Sequence, residues 1–347
     1  MTPHSIILCT SEYPPDHGGV GRYLAALVQH SDIPVTVVRV ERTARWFDVF
    51  RRVERETRGK RRATTLWCSH IFPIGTACWL LSWIGVRYEL YFHGMDIAIA
   101  SNAGALRRWV ARRIIARATR VYANSVYTAD LVSALSKRSA VHVRHPRISA
   151  LSQVQASLIR TLRTQTNINE ASQIVLVACR LVERKGVDRV IRAFALLPAE
   201  LDATLVIVGD GPQRAVWEEL SRTCGITDRV RWVGSVSDAD LYTWYAAAAI
   251  FALLPRASST DFEGFGIVYI EAGWYGVPVI ATRTGGISDA VVDTETGYLL
   301  PDTDDPEPVV RIMEQLLGDQ QLRLRMGKRA QERVQNLFVW NDKNNHS

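Results

Sequence analysis

Short runs of consecutive apolar residues, many of them β-branched, recur along the chain and alternate with longer segments of helical period. In the first half the runs are SIILCT (5–10), VTVVRV (35–40), YELYFH (88–93), RVYAN (120–124) and VHVRH (141–145), with helical stretches such as GRYLAALVQH and ALRRWVARRIIARA between them. In the second half they are QIVLVACR (173–180), ATLVIVG (203–209), RVRWVG (229–234), IFALLP (250–255) and PVIATR (278–283). A strand wetted on one face alternates apolar with polar residues. A continuous apolar run implies burial on both faces, as in a parallel sheet covered by its own crossover helices. The pattern therefore predicts a parallel, doubly wound α/β fold, and it occurs twice. The polar stretch TLRTQTNINEASQ separates the two halves. The expected division is a Rossmann-like domain over 1–160, a linker over 161–173 and a second Rossmann-like domain over 174–347. Two such domains facing each other would place a cleft between the carboxyl ends of their sheets, where open α/β sheets bind ligands. There is no internal repeat and no low-complexity tract.

Composition agrees with two ordinary domains. The 347 residues exceed one typical core, and the 47% hydrophobic and 22% charged content is that of a soluble globular protein. The five cysteines are odd in number and scattered, with no C-x-x-C, which argues against a disulfide framework or zinc site and fits a reducing cytosol. The N-terminal MTPHSIILCTSEYPP lacks the basic region of a signal peptide, and the longest apolar stretch, IGTACWLLSWIGV (74–86), is too short to span a bilayer and reads as a buried helix. Charge is unevenly shared. Residues 1–150 carry 22 Lys/Arg against 10 Asp/Glu, a balance of +12, whereas the remainder carries 20 against 25, a balance of −5. The basic half suggests an anionic partner, with an anionic membrane surface or a charged lipid ahead of nucleic acid. Arg107, Arg108, Arg112, Arg113 and Arg117 are interleaved with Leu106, Trp109, Ile114 and Ile115, and 42–62 repeats the mixture of Trp, Phe and Arg. Such helices can lie on anionic lipid, although an ordinary helix packed on a sheet with its arginines in water gives the same pattern.

Four stretches carry candidate chemistry. Gly18, Gly19 and Gly21 lie between the first strand and a helix beginning near Val20, where a glycine turn lets backbone approach a ligand and a helix N-terminus offers its N–H groups to an anion. The spacing is not G-x-G-x-x-G, which argues against a dinucleotide redox site. Arg180 and Lys185 follow the strand at 173–179, a guanidinium and an ammonium suited to a diphosphate. In DFEGFGIVYIEAGWYG, Glu263 enters a Gly-Phe-Gly turn and Glu271 follows eight residues on, within a helix expected from about Gly266 to Trp274. Helical rise alone would separate the two by roughly 12 Å, comparable to the distance between the sugar and the ribose of a nucleotide-sugar. Finally His93, Gly94 and Asp96 end a strand. Each feature, taken singly, also fits a structural turn, a solvated loop or a capped helix. SDADL (237–241) contains D-x-D but reads as an N-cap.

The joint order of these features resembles the family-four retaining glycosyltransferases of the GT-B fold, the glycosyl transferases group 1. The resemblance rests on Gly18-Gly19-Val20, His93-Gly94, ANSVYTADL (123–131), CRLVERKG (179–186), VGDGP (208–212), the E-x7-E pair Glu263 and Glu271, and Gly285-Gly286. It implies that Arg180 and Lys185 hold a donor diphosphate with help from Gly19 and the backbone of Gly264, Phe265, Gly266 and Ile267. It also implies that Glu263 meets the transferred sugar, Glu271 the ribose, Val233 and Gly234 the base, and His93 the donor sugar near the reaction centre. The implied reaction moves a hexose-type sugar from a UDP- or GDP-linked donor to a glycan or lipid-linked acceptor. Configuration would be retained by same-face attack, with no cofactor, no metal and no nucleic acid, in the cytoplasm or peripherally at the inner face of the membrane.

The sequence departs from the family pattern in three places. Cys179 stands where glycine is usual, VRHPRIS replaces a Pro-Asn-Gly turn, and NLFVWNDKNNHS ends the chain where relatives add a helix that crosses back, so that domain closure is expected to differ. Two other readings share the architecture. A sugar-nucleotide epimerase would not need the Arg180/Lys185 and Glu263/Glu271 set and would release nucleotide without an acceptor. A catalytically weak partner subunit would keep only the affinity for nucleotide-sugar.

Overall fold

The structure, a computed structural model, describes residues 5–14, 18–41 and 43–340. The end of the NLFVWNDKNNHS tail, 341–347, thus lies outside the described residues. Two compact units are present. One comprises residues up to Arg147 together with Ser258–Phe265 and Trp340, and the other comprises Ile148–Ala257 and Gly266–Val339. The stretch 161–173, expected as a linker, holds the second half of the helix Ala156–Gln165 and the turn that follows it, within the second unit.

In the first unit six strands form one parallel sheet: β1 (Ser5–Thr10), β2 (Val35–Arg39), β3 (Thr64–Cys68), β4 (Arg87–Phe92), β5 (Arg120–Ala123) and β6 (His142–Val143), in the order β2-β1-β3-β4-β5-β6. Leu8, Cys9, Leu66, Cys68 and Val121 are fully buried, each large apolar side chain contributing about 1.5–3 kcal/mol. β3 is a correction to the sequence reading. TTLWC opens on Thr64 and Thr65, whose polar side chains hide a strand that is buried throughout. The Thr64 hydroxyl is matched by Ser5 Oγ at 3.1 Å and by the Lys60 carbonyl at 3.0 Å, so its burial leaves no orphan. The apolar stretch 74–86 is a buried helix only in part. It is helical over Thr76–Ser82, after which Trp83 is 66% exposed.

The second unit repeats the plan with β7 (Gln173–Ala178), β8 (Ala203–Val208), β9 (Val230–Gly234), β10 (Ile250–Leu253), β11 (Val279–Thr282) and β12 (Gly297–Leu300), all parallel, in the order β12-β11-β10-β7-β8-β9. The chain order reverses between β7 and β10, and ligands of open α/β sheets sit outside the carboxyl ends of the strands at that place. β12 was also missed in the sequence. It starts at Gly297, where a Cβ would lie 2.4 Å from the Val279 carbonyl oxygen, so strand pairing rather than β-propensity sets the residue. Ser237 caps the helix Asp238–Ala247 by accepting from Asp240 N–H at 3.2 Å, as the D-x-D stretch was expected to do. Among the described residues no helix is long and apolar enough to cross a membrane.

Candidate functional site

The first unit gathers three of the sequence motifs in one place. β4 ends at Phe92, and the chain turns through His93 and Gly94, the latter at φ 114°, a conformation that favours glycine. Asp96 holds the turn, its Oδ1 accepting from the N–H groups of His93 at 3.2 Å and Gly94 at 3.1 Å. After β5, Ser125 caps the helix Val126–Ser136 by accepting from Thr128 N–H. That cap fixes Asn124, whose Nδ2 donates to the His93 carbonyl at 3.1 Å. The segment Ser258–Phe265 packs onto the same turn. A Cβ at Gly264 would lie 2.1 Å from His93 O and 2.7 Å from Asn124 Nδ2, and one at Gly94 would lie 3.1 Å from Gly264 Cα. Phe262 meets Tyr127 edge-on at 4.9 Å and Phe265 meets His145 at 5.5 Å. Half-buried Glu263 is therefore carried between two anchored aromatic rings.

The electrostatics of this cluster are unusual. His93 Nε2, Asp96 Oδ2 and Asn124 Oδ1 are shut from solvent with no hydrogen-bond partner among the described residues. Each such group costs about 1–3 kcal/mol, and native proteins keep few of them. Burial, with a smaller contribution from His70, pushes the His93 pKa down to about 3, so the imidazole is neutral near pH 7. Asp96 is half-buried as a residue, but the sealing of its Oδ2 raises the carboxyl to about 7 against the pull of its backbone hydrogen bonds. Tyr23 packs edge-on against His93 at 5.5 Å, and burial raises its phenol to about 12. Tyr23 belongs to the helix Gly19–Gln29, which begins at exposed Gly19 with no side-chain cap and no acidic residue in its first turn.

In the second unit the expected residues surround the carboxyl ends of β7, β9 and β10. Arg180 follows β7, exposed, with no ion pair to its guanidinium among the described residues. Cys179 continues the β7–β8 pairing through its N–H to Val208 O, and the need for glycine falls on Gly209, where a Cβ would lie 1.9 Å from Cys179 O. Lys185 ends the turn Glu183–Lys185, and Gly186, at φ 63°, passes so close to the end of β10 that a Cβ would lie 1.9 Å from Leu254 O. Half-buried Val233 and buried Gly234 finish β9, with the Gly234 carbonyl accepting from Gly209 N–H at 2.8 Å.

The helix expected from about Gly266 spans Ile267–Trp274, entered through Gly266 at φ 88° with no side-chain cap. Glu263 lies outside it, so the helical-rise separation of the two glutamates does not apply: the Gly-Phe-Gly turn sends Glu263 into the first unit's cluster. Glu271 is fully buried, its Oε2 accepting from Tyr245 OH at 3.2 Å. In the sequence Asp96 is a strand-end residue without an assigned role, Asn124 is one letter of ANSVYTADL, and Tyr245 belongs to no motif. A polar residue two or three positions beyond a strand-end glycine was the available signal for Asp96. No local pattern points to Tyr245. Among the described residues no group of three or more His, Cys, Asp or Glu is placed to hold a metal ion.

Two parallel six-stranded sheets, each wrapped by helices, define a GT-B architecture. The chain belongs to the glycosyl transferases group 1 family, whose profile matches residues 159–333. It is 35% identical over 182 residues to the GDP-mannose-dependent alpha-(1-6)-phosphatidylinositol monomannoside mannosyltransferase of Mycobacterium tuberculosis, an alignment covering 52% of this chain and 47% of that protein. It is 35% identical over 178 residues to the N-acetyl-alpha-D-glucosaminyl L-malate synthase of Bacillus anthracis, covering 51% of this chain and 44% of that protein. The chain thus spans about half the length of the curated relatives it matches. Its fold is that of HepE from Anabaena, solved in complex with UDP, at TM-score 0.80 and 20% identity, with 98% of this chain and 96% of that chain covered. Sucrose-phosphate synthase from Thermosynechococcus elongatus gives TM-score 0.79 at 23% identity, with 97% and 95% covered.

Proposed function

We propose that the chain is a retaining, metal-independent hexosyltransferase that takes a GDP- or UDP-linked sugar and glycosylates a lipid-linked or glycan acceptor. The observation that carries this reading is the second unit's arrangement at the order reversal of its sheet. Arg180, without an ion pair among the described residues, and Lys185 follow β7 on a loop held by the close approach of Gly186 to Leu254 O, and the helix Ile267–Trp274 of the same unit starts without a side-chain cap. Two cations and helix-end N–H groups suit a diphosphate and would stabilise the charge that develops on it as it leaves. Gly19 would assist through the start of its helix, Val233 and Gly234 would face the base, and Glu271, oriented by Tyr245, would meet the ribose. In the first unit Glu263 and the backbone of Gly264 and Phe265 would meet the sugar, and neutral His93 would offer Nε2 to a sugar hydroxyl. The names of the relatives, one GDP-mannose-dependent, and the UDP complex of HepE support a nucleoside diphosphate donor.

The first unit also suits a peripheral position on an anionic membrane at the cytoplasmic face. Leu106 is 75% exposed, Trp109 48% and Trp46 47%, while Arg117 lies 4.2 Å over exposed Trp83 and Arg113 lies 5.3 Å over Trp109. Apolar side chains beside arginines favour an anionic interface. Cosedimentation with phosphatidylglycerol vesicles should fall for Trp83→Ala/Trp109→Ala, and equal binding by the variant would remove this part of the reading.

The reading is tested by incubating the protein with each common UDP- and GDP-hexose, with and without a phosphatidylinositol or glycan acceptor, and following nucleoside diphosphate release and the anomeric configuration of the new glycoside by NMR. One donor should be consumed only when acceptor is present, giving an α-linked product from an α-linked donor, and Glu263→Ala should abolish it. A β-linked product would overturn retention, nucleotide release of equal rate without acceptor would favour the epimerase, and no turnover of any donor with any acceptor would overturn the enzyme reading.

A further inference from the structure

Arg256 stands three residues beyond the carboxyl end of β10, at the root of the segment that continues to Glu263, and its bonds run to the loop after β7. Its backbone N–H donates to Arg184 O at 2.8 Å, and its Nη1 reaches Glu183 O at 3.4 Å. Its two Nη atoms fork across Asp188, in the first turn of the helix Val187–Ala195, at 2.7 Å each, and Nη2 also reaches Asp304 Oδ1 at 2.9 Å. Behind it Arg189, only 8% exposed, donates to Asp302 at 2.6 Å and Asp304 at 2.8 Å, and Ala257 N–H donates to Asp302 Oδ2 at 3.1 Å. Gly186, next to Lys185, sits directly on Leu254 O. The forked Arg256–Asp188 pair and the bonds to the Arg184 and Glu183 carbonyls thus join the two loops that flank the order reversal of the sheet, and Asp302 and Asp304, beyond β12, brace both arginines.

We infer that Arg256 is a positioning residue that locks the Arg180–Lys185 loop to the root of the Glu263 segment and so sets the grip on the β-phosphate. The inference rests on the nucleotide-binding reading above. A forked guanidinium–carboxylate pair fixes direction as well as distance, which a lysine cannot do. The pair is about three-quarters buried, with side-chain exposures of 27% for Arg256 and 20% for Asp188, so solvent screens it less than a surface pair. Arg256 has both Nη atoms engaged by Asp188 and Asp304. Its effect passes through Lys185 and Arg180.

The loop grips the β-phosphate, so the expected signature is a loss of preference for diphosphate over monophosphate rather than a general loss of affinity. Calorimetric titration with UDP, UMP, GDP and GMP should show the wild type preferring one diphosphate over its monophosphate by about tenfold or more, the scale of one charge-assisted contact. In Arg256→Gln that ratio should fall to within about threefold, with monophosphate affinity nearly unchanged. Arg256→Lys keeps the charge but not the fork, and should show the same loss with a melting temperature near that of the wild type, which keeps the test sound if the glutamine variant folds poorly. An unchanged ratio in Arg256→Lys, or equal weakening of diphosphate and monophosphate, would overturn the positioning role. A wild type without any diphosphate preference would instead refute the nucleotide-binding reading, and the inference would fall with it.

Discussion

Asp96→Asn offers a measurable test of the sealed cluster at the end of β4. The carboxyl has a pKa near 3.8 in an unfolded chain and about 7 in the folded one. Between those values the folded protein keeps a proton that the unfolded chain releases, so the Asp96 contribution to stability is present at low pH and is lost as pH rises. The loss is about 1.4 kcal/mol per pH unit, or about 2.5 kcal/mol between pH 4.5 and 6.5. His93 works in the opposite sense. Its pKa drops from 6.5 to about 3 on folding, so the unfolded chain binds the extra proton and acid destabilises the native state through the same window. In the wild type the two slopes offset each other. Asparagine keeps the oxygen that accepts from His93 and Gly94 N–H but cannot ionise, so the variant should expose the His93 slope, gaining stability as pH rises from about 4.5 to 6.5. Urea unfolding of the first unit, followed by hydrogen-exchange mass spectrometry on β4 peptides, reads this difference directly. A constant gap between wild type and variant across that range would mean that Asp96 is ionised in the folded protein, and would refute the reasoning.

Gly264→Ala should drive a methyl group into His93 O, displacing the loop at a cost of about 1–3 kcal/mol; donor turnover should be lost while the second unit still binds nucleoside diphosphate, and an active variant would show that the close packing is unimportant. Tyr245→Phe removes the hydroxyl that donates to buried Glu271 and should lower stability by about 1–3 kcal/mol in urea unfolding, with no change expected only if that bond is absent.

Much of the fold was legible because a doubly wound parallel sheet writes itself as continuous apolar runs. It failed where the run was broken by residues chosen for tertiary reasons. Thr64 and Thr65 in β3 are buried, the Thr64 hydroxyl being satisfied by Ser5 and Lys60, and Gly297 in β12 is imposed by the Val279 backbone. The motif residues could be named from sequence, yet their meeting could not. Gly264 touches His93 and Asn124, which precede it by 171 and 140 residues, and no spacing rule encodes that contact. The separation assigned to Glu263 and Glu271 applied helical rise to the whole interval, although the helix begins only after Gly266 and Glu263 lies before it. The fork from Arg256 to Asp188 was invisible for the same reason, since a lone arginine after a strand carries no local signature.

The account turns on whether the Arg180–Lys185 loop holds a nucleoside diphosphate. Isothermal titration of UDP and of GDP into the wild type and into Arg180→Ala measures this most directly. One of the two should bind the wild type, with affinity reduced about tenfold or more in the variant, as expected for loss of a charge-assisted phosphate contact. Binding of equal strength by both proteins would contradict the account, as would no binding by either.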